Sequence, residues 1–218
     1  EEAFGPAMGL PAVRAFWWPR FQRIARWFLA REQERREAIA QSATEIHGQL
    51  EIPGRAGPFR LTATADRIDR HHDGSYTIID YKTGLSPSIL QARSLLDPQL
   101  ALEAAALQAG AFKTMGIQRP GDLLYVRLRP GDRFKEDRIN NEGATANAKR
   151  QPKSAIDLAQ ESIDQLTKFV IKLRQGDAGF ASRLVPFAQG DFGGEYDHLA
   201  RVAEWSTADD DGEADADE

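Results

Sequence analysis

Residues Phe59 to Gly84, FRLTATADRIDRHHDGSYTIIDYKTG, leave the chain little freedom in how it folds. Leu61, Ala63 and Ala65 alternate with Thr62, Thr64 and Asp66, and Tyr76 to Tyr81 is rich in β-branched and aromatic residues. Both halves therefore predict strands. Between them His72-Asp73-Gly74 suits a three-residue hairpin loop, with Gly74 in the left-handed position. That loop pairs His71 with Ser75 and, counting back, sets Asp66 opposite Asp80. Lys82 lies two residues further on and shares the face of Asp80, because side chains alternate along a strand.

Two carboxylates side by side on a sheet repel each other. A fold that keeps such a pair holds a cation between them, or lets one take up a proton. Oxygen ligands select a hard ion such as Mg2+ or Mn2+. A lysine beside the ion is placed to orient a water molecule, and the ion would neutralise charge building on a phosphate. The same pattern also describes a hairpin whose acids face solvent with a lysine as surface partner, and at this level both readings stand.

Asp66-Arg67-Ile68-Asp69, a short hairpin, then Ile78-Ile79-Asp80-Tyr81-Lys82-Thr83-Gly84 resemble the core of the RecB-family nucleases of the PD-(D/E)XK superfamily. AFWWPRF at 15–21, PQLALEA at 98–104 and YDHLARVAEW at 196–205 are similar to the C-terminal region of AddB, in its alphaproteobacterial form, a subunit of bacterial AddAB helicase–nucleases. The likeness runs from about Ala15 to Trp205. It implies an α/β fold: a restriction-endonuclease-like mixed sheet flanked by helices. It also implies that Asp66 and Asp80 bind Mg2+ (or Mn2+), that the Tyr81 backbone carbonyl completes the protein ligands, and that Lys82 positions the attacking water. The family pattern Q-x-x-x-Y is met by Gln99, whose implied role is contact with the DNA strand or support of the site, whereas Glu103 stands in place of the tyrosine. The family's additional histidine ligand belongs to a helix with a G-x-x-x-H pattern well upstream. His47 lies in a predicted strand without that pattern and is not assigned the role, so the helix carrying the family histidine is expected to be missing from this sequence.

The length of 218 residues fits one domain with a full hydrophobic core, expected over 1–207. No cysteine is present, which excludes disulfides, thiolate zinc sites and iron–sulfur clusters and fits a reducing cytoplasm. No run is long and apolar enough to span a membrane, and no secretory signal opens the chain. The start at Glu1 without methionine reads as a piece of a larger protein. The formal charge of −5 comes from the acidic tail at 208–218, which is predicted to be disordered. Without its seven acids the rest has 28 basic residues against 26 acidic ones, so any affinity for DNA must reside in local patches.

Along the chain, 1–14 read as a loose lead-in. Trp17, Phe21, Ile24 and Phe28 mark one face of a helix to about Ala40 and are expected in the core, while Arg20, Arg23, Arg26 and Arg31 form a solvated face or meet phosphates. Glu45 to Ile52 predicts the first strand, with Glu45 either near the metal or a surface residue. Leu85 to Leu96 is a short connection of weak helical character. A helix follows, with Asp97 as N-cap and Pro98 in its first turn, to about Met115, apolar on more than one side. Leu123 to Leu128 predicts a buried strand. The stretch 129–153 lacks periodicity and carries Arg133, Lys135, Arg138, Lys149, Arg150 and Lys153, so it reads as an insertion or a phosphate track. Ser154 opens an amphipathic helix that Gly176 stops. Tyr196 and His198, near the end, read as structural.

The main functional expectation is a Mg2+-dependent DNA exonuclease or endonuclease. It would cut single-stranded DNA unwound from duplex ends, partnered by the helicase portion of its own chain and an AddA-type subunit. A nuclease-like module that holds DNA without cutting, and a metal-dependent phosphohydrolase acting on nucleotides, are the alternatives. No G-x-x-x-x-G-K-[ST] run occurs, so the ATP motor must lie elsewhere.

Overall fold

The computed structural model describes residues 2–54, 57–128, 134–142 and 151–175. Glu1–Ile171 form one compact unit, and Lys172–Glu218 form a second, of which only the end of one helix is described. Gly176, Arg133, Lys149, Arg150, Tyr196, His198 and the tail 208–218 lie outside the described residues.

Five strands form one mixed sheet in the order β1 (Ile39–Ile52), β2 (Phe59–His71), β3 (Tyr76–Lys82), β4 (Pro120–Arg127) and β5 (Lys135–Arg138). Neighbours are antiparallel except β3 and β4, which run parallel. A parallel pair needs a crossover, and α2 (Ile89–Arg93) and α3 (Gln99–Gln108) supply it. The β2–β3 hairpin has the expected loop: the His71 amide donates to the Ser75 carbonyl at 2.9 Å, and Gly74 has φ +83°.

The main core lies on one face of the sheet, where Ile68, Ile78 and Leu123 meet Leu100, Ala104 and Leu107 of α3 and Leu158 of α4 (Ala155–Arg174). The helix α3 is buried on more than one side, as its composition predicts. It ends at Gln108, seven residues before Met115, because Gly110 turns the chain at φ +71° and sends Phe112 back into the core. Its N-cap is Pro98 rather than Asp97, whose carboxylate instead accepts from the Tyr125 hydroxyl at 3.2 Å. The connection before it is ordered by a capping box between Ser88 and Gln91.

The helix α1 (Trp18–Arg36) covers the opposite face, and it corrects one expectation. None of its residues is fully buried, Phe21 is 44% exposed, and Trp17 just before it is 59% exposed. The reason lies in what the sheet offers there. Arg67 and Asp69 are buried on that face, so α1 attaches through ions: Arg67 meets Glu32 at 2.8 Å and Asp69 at 2.7 Å, and Arg31 meets Glu136 at 2.8 Å. Aromatic contacts add to this: Phe28 meets the Tyr81 ring at 5.9 Å, and Trp27 stacks on Phe134 at 5.2 Å.

A second correction concerns 129–153. Lys135–Arg138 form the edge strand β5, and its basic residues are committed to acids: Lys135 to Asp137 at 2.6 Å and Arg138 to Asp122 at 2.8 Å. Lys153 likewise pairs with Glu161. These three basic side chains of the stretch thus have acidic neighbours, while Arg133, Lys149 and Arg150 lie outside the described residues.

The strand β1 begins at Ile39, six residues before Glu45, and a break interrupts its pairing with β2. The register is the same on both sides, yet Glu45 and Asp66, which face each other, form no pair, and Glu45 has φ +50°. Ala65 and Ile68 both enter the main core although three positions apart, so alternation changes phase at Asp66. Near the break, Gly48 lies against Phe112, and a Cβ there would fall 2.8 Å from two ring carbons. The fully buried Phe112 cannot swing away cheaply. Gly48→Ala is therefore expected to cost about 1–3 kcal/mol in urea unfolding, where an open strand position would gain from the same change.

Candidate active site

The phase change explains how the acids meet. The β2–β3 ladder ends at Arg67 and Ile79, one pair short of Asp66 and Asp80. Beyond it the strands part, and the Asp66 carboxylate spans the gap by accepting the Tyr81 amide at 2.9 Å. Asp66 is thus fixed by main chain and remains half-buried.

Asp80 is 2% exposed and sits on the face toward α3, beside Tyr125 of β4. Lys82 Nζ lies 3.1 Å from its Oδ1 and 2.9 Å from its Oδ2. Only the first contact has hydrogen-bond geometry, so Oδ2 is a buried oxygen with an ion partner but no donor. Nζ also donates to Gln99 Oε1 at 2.7 Å and stands 5.4 Å from the Tyr125 ring centroid. The Gln99 amide nitrogen donates to Asp80 Oδ1 at 2.5 Å and to Glu103 Oε1 at 3.2 Å. Burial pushes the Asp80 carboxyl above its ordinary range, against the pull of Lys82.

All four predicted side chains, Asp66, Asp80, Lys82 and Gln99, thus gather where β2 and β3 separate under the start of α3. Glu103 joins them. It is 4% exposed, its Oε2 has no hydrogen-bond partner, and burial pushes its carboxyl up to about 8. Sequence reading treated Glu103 only as a missing tyrosine, although a lone acid in the apolar run LALEAAAL was a signal of its own. His47 is exposed in β1 with Nδ1 2.9 Å from the Thr64 hydroxyl. Glu45 is exposed as well.

A family profile for the PD-(D/E)XK nuclease superfamily matches residues 3–188. The chain belongs to the PD-(D/E)XK nuclease superfamily. Membership implies a nuclease, a hydrolase of phosphodiester bonds, and the five-stranded mixed sheet flanked by helices is the superfamily's restriction-endonuclease-like fold. Curated relatives include an "Uncharacterized protein" of Rickettsia bellii, 24% identical over 72% of this chain and 18% of its own length. Another is "Uncharacterized protein RT0391" of Rickettsia typhi, 30% identical over 47% of this chain and 12% of its own. The chain spans less than a fifth of the length of these relatives. The crystal structure of SSO0001 overlaps 65% of this chain and 56% of its own at 19% identity, with a TM-score of 0.36, too loose a match for comparing sites. Among the described residues no helix is long and apolar enough to cross a membrane.

Among the described residues no three His, Cys, Asp or Glu side chains form a ready-made metal cage. Magnesium does not require one: it is commonly held by one or two carboxylates, with waters and substrate phosphate completing its shell. The buried Oδ2 of Asp80, which faces the Lys82 ammonium without a hydrogen bond, the half-buried carboxylate of Asp66 and the intervening main chain fit that pattern.

Proposed function

We propose that this chain is the metal-dependent DNA nuclease domain of an AddAB-type helicase–nuclease, of the RecB family. It would hydrolyse unwound single-stranded DNA during processing of double-strand break ends for recombinational repair. The observation that carries the reading is the hydrogen-bonded group Asp80–Lys82–Gln99, with Asp66 fixed beside it by the Tyr81 amide. In this reading Asp66, Asp80 and the Tyr81 carbonyl hold Mg2+ or Mn2+, which supplies Lewis-acid charge for a phosphate. Lys82 offers its ammonium protons at a fixed place beside the carboxylates and orients the water that attacks phosphorus. Gln99 holds that ammonium by accepting a hydrogen bond from it at Oε1. Asp66 projects from within β2, just past the end of its ladder with β3, Asp80 and Lys82 from the end of β3, and Gln99 from the first turn of a helix. All are regular elements that favour fixed geometry over loop motion. Helicase motors and an AddA-type partner would belong to the rest of a longer assembly.

Cleavage of labelled single-stranded, duplex and mononucleotide substrates tests this. Wild type is expected to cut single strands with Mg2+ or Mn2+, to stop with EDTA, and to leave mononucleotides intact. Asp80→Ala should lose both cutting and calorimetric Mn2+ binding. Retained single-strand binding without any cleavage by wild type would replace the nuclease with a DNA-holding module.

A further inference from the structure

Glu103 is the single acid of α3, and a carboxyl group buried there is costly unless its polar atoms find partners. It makes no ion pair among the described contacts, and its hydrogen-bond partner there is the Gln99 amide. Gln99 has two chemically different ends on one flat group. Its nitrogen faces two acceptors, Asp80 Oδ1 and Glu103 Oε1, while its oxygen faces the Lys82 ammonium. The two amide protons are thus divided between two carboxyl groups, which fixes the rotation of the amide plane as well as its direction. A flipped amide would set its N–H groups against an ammonium and its oxygen against two acceptor oxygens, Asp80 Oδ1 and Glu103 Oε1. With Glu103 gone, one buried N–H is orphaned and the amide gains a reason to rotate away, releasing Lys82.

We propose that Glu103 is a positioning residue: through the Gln99 amide it holds Lys82 in register with Asp80, in place of the tyrosine of the family pattern. Its catalytic consequence rests on the nuclease reading, but the hydrogen-bond relay does not. The acceptor at Oε1 is all the relay uses, so glutamine at 103 preserves it and leucine removes it at similar volume.

Two measurements test the proposal. In 15N–1H NMR of the whole chain without metal or DNA, the Gln99 side-chain amide protons of wild type and Glu103→Gln should be dispersed and slow to exchange. In Glu103→Leu they should move to the position of solvent-exposed glutamines, and unchanged Gln99 signals in that variant would overturn the relay. In single-stranded DNA cleavage, Glu103→Leu should lower kcat about tenfold with KM within twofold, and Glu103→Gln should stay near wild type. The loss should vanish in a Gln99→Ala background, because the relay is already cut. Equal loss in both Glu103 variants, or additivity with Gln99→Ala, would reduce Glu103 to a packing residue and overturn the proposal. Glu103→Met replaces the leucine variant should the latter not fold. A wild type that cuts nothing overturns the nuclease reading and leaves the NMR result to judge the relay.

Discussion

Lys82→Met is expected to slow DNA cleavage by about 10²–10³-fold while the protein stays folded and still binds Mn2+. Three contacts position this amine: Asp80, the Gln99 oxygen and the face of the Tyr125 ring. An ammonium held this way has little orientation left to lose when a substrate arrives, so its contribution falls mainly on the reacting state. Methionine keeps the length and the packing on Tyr125 and deletes only the charge and donors. Removing a cation beside the carboxylates also removes a competitor for a divalent ion. Manganese affinity measured by calorimetry should therefore be retained or rise, whereas Asp80→Ala should lose it. Single-turnover rates at saturating DNA separate this from weaker binding. A Lys82→Met protein that cuts at the wild-type rate would leave Lys82 as nothing more than a counter-ion for Asp80.

The parts of this site that were legible in the sequence are those set by local chemistry. The loop at His72-Asp73-Gly74 fixes the hairpin register within a few residues, and alternation then places Asp80 and Lys82 together. Gln99 was legible as the opening of a helix. What stayed hidden depends on pairing between distant segments. The strict alternation of Leu61 to Asp66 gives no hint that the strand changes phase at Asp66, because that break is shared with Glu45 across the ladder. The strand β5 has the sequence KEDR, with no apolar period at all, and exists because β4 offers an edge and its charges find partners. The amphipathic pattern of α1 points to an apolar dock. The sheet face beneath it instead holds Arg67 and Asp69, and no reading of α1 alone contains that fact.

Glu103 also predicts how stability responds to pH. Its carboxyl is pushed from the ordinary 4.5 up to about 8 by burial, with Asp80 and Asp66 adding to the rise and the Gln99 hydrogen bond opposing it. Between these two values the unfolded chain has released the proton and the folded chain keeps it. The folded state then binds more protons, so the contribution of Glu103 to stability is fully present below about 4.5, falls as pH rises through that window, and levels above about 8. The loss from this one group between pH 5 and 8 is on the order of 3 kcal/mol. Asp80, also raised by burial, adds a change of the same sign at the acid end. Glu103→Gln has the shape and the acceptor but nothing to ionise. Urea unfolding in the presence of EDTA should therefore give a wild type that weakens from pH 5 to pH 8 by about 3 kcal/mol more than Glu103→Gln does. Parallel stability curves would mean that the folded protein accommodates the Glu103 charge as easily as water does. That outcome contradicts a carboxyl group 4% exposed with one oxygen that has no hydrogen-bond partner among the described residues.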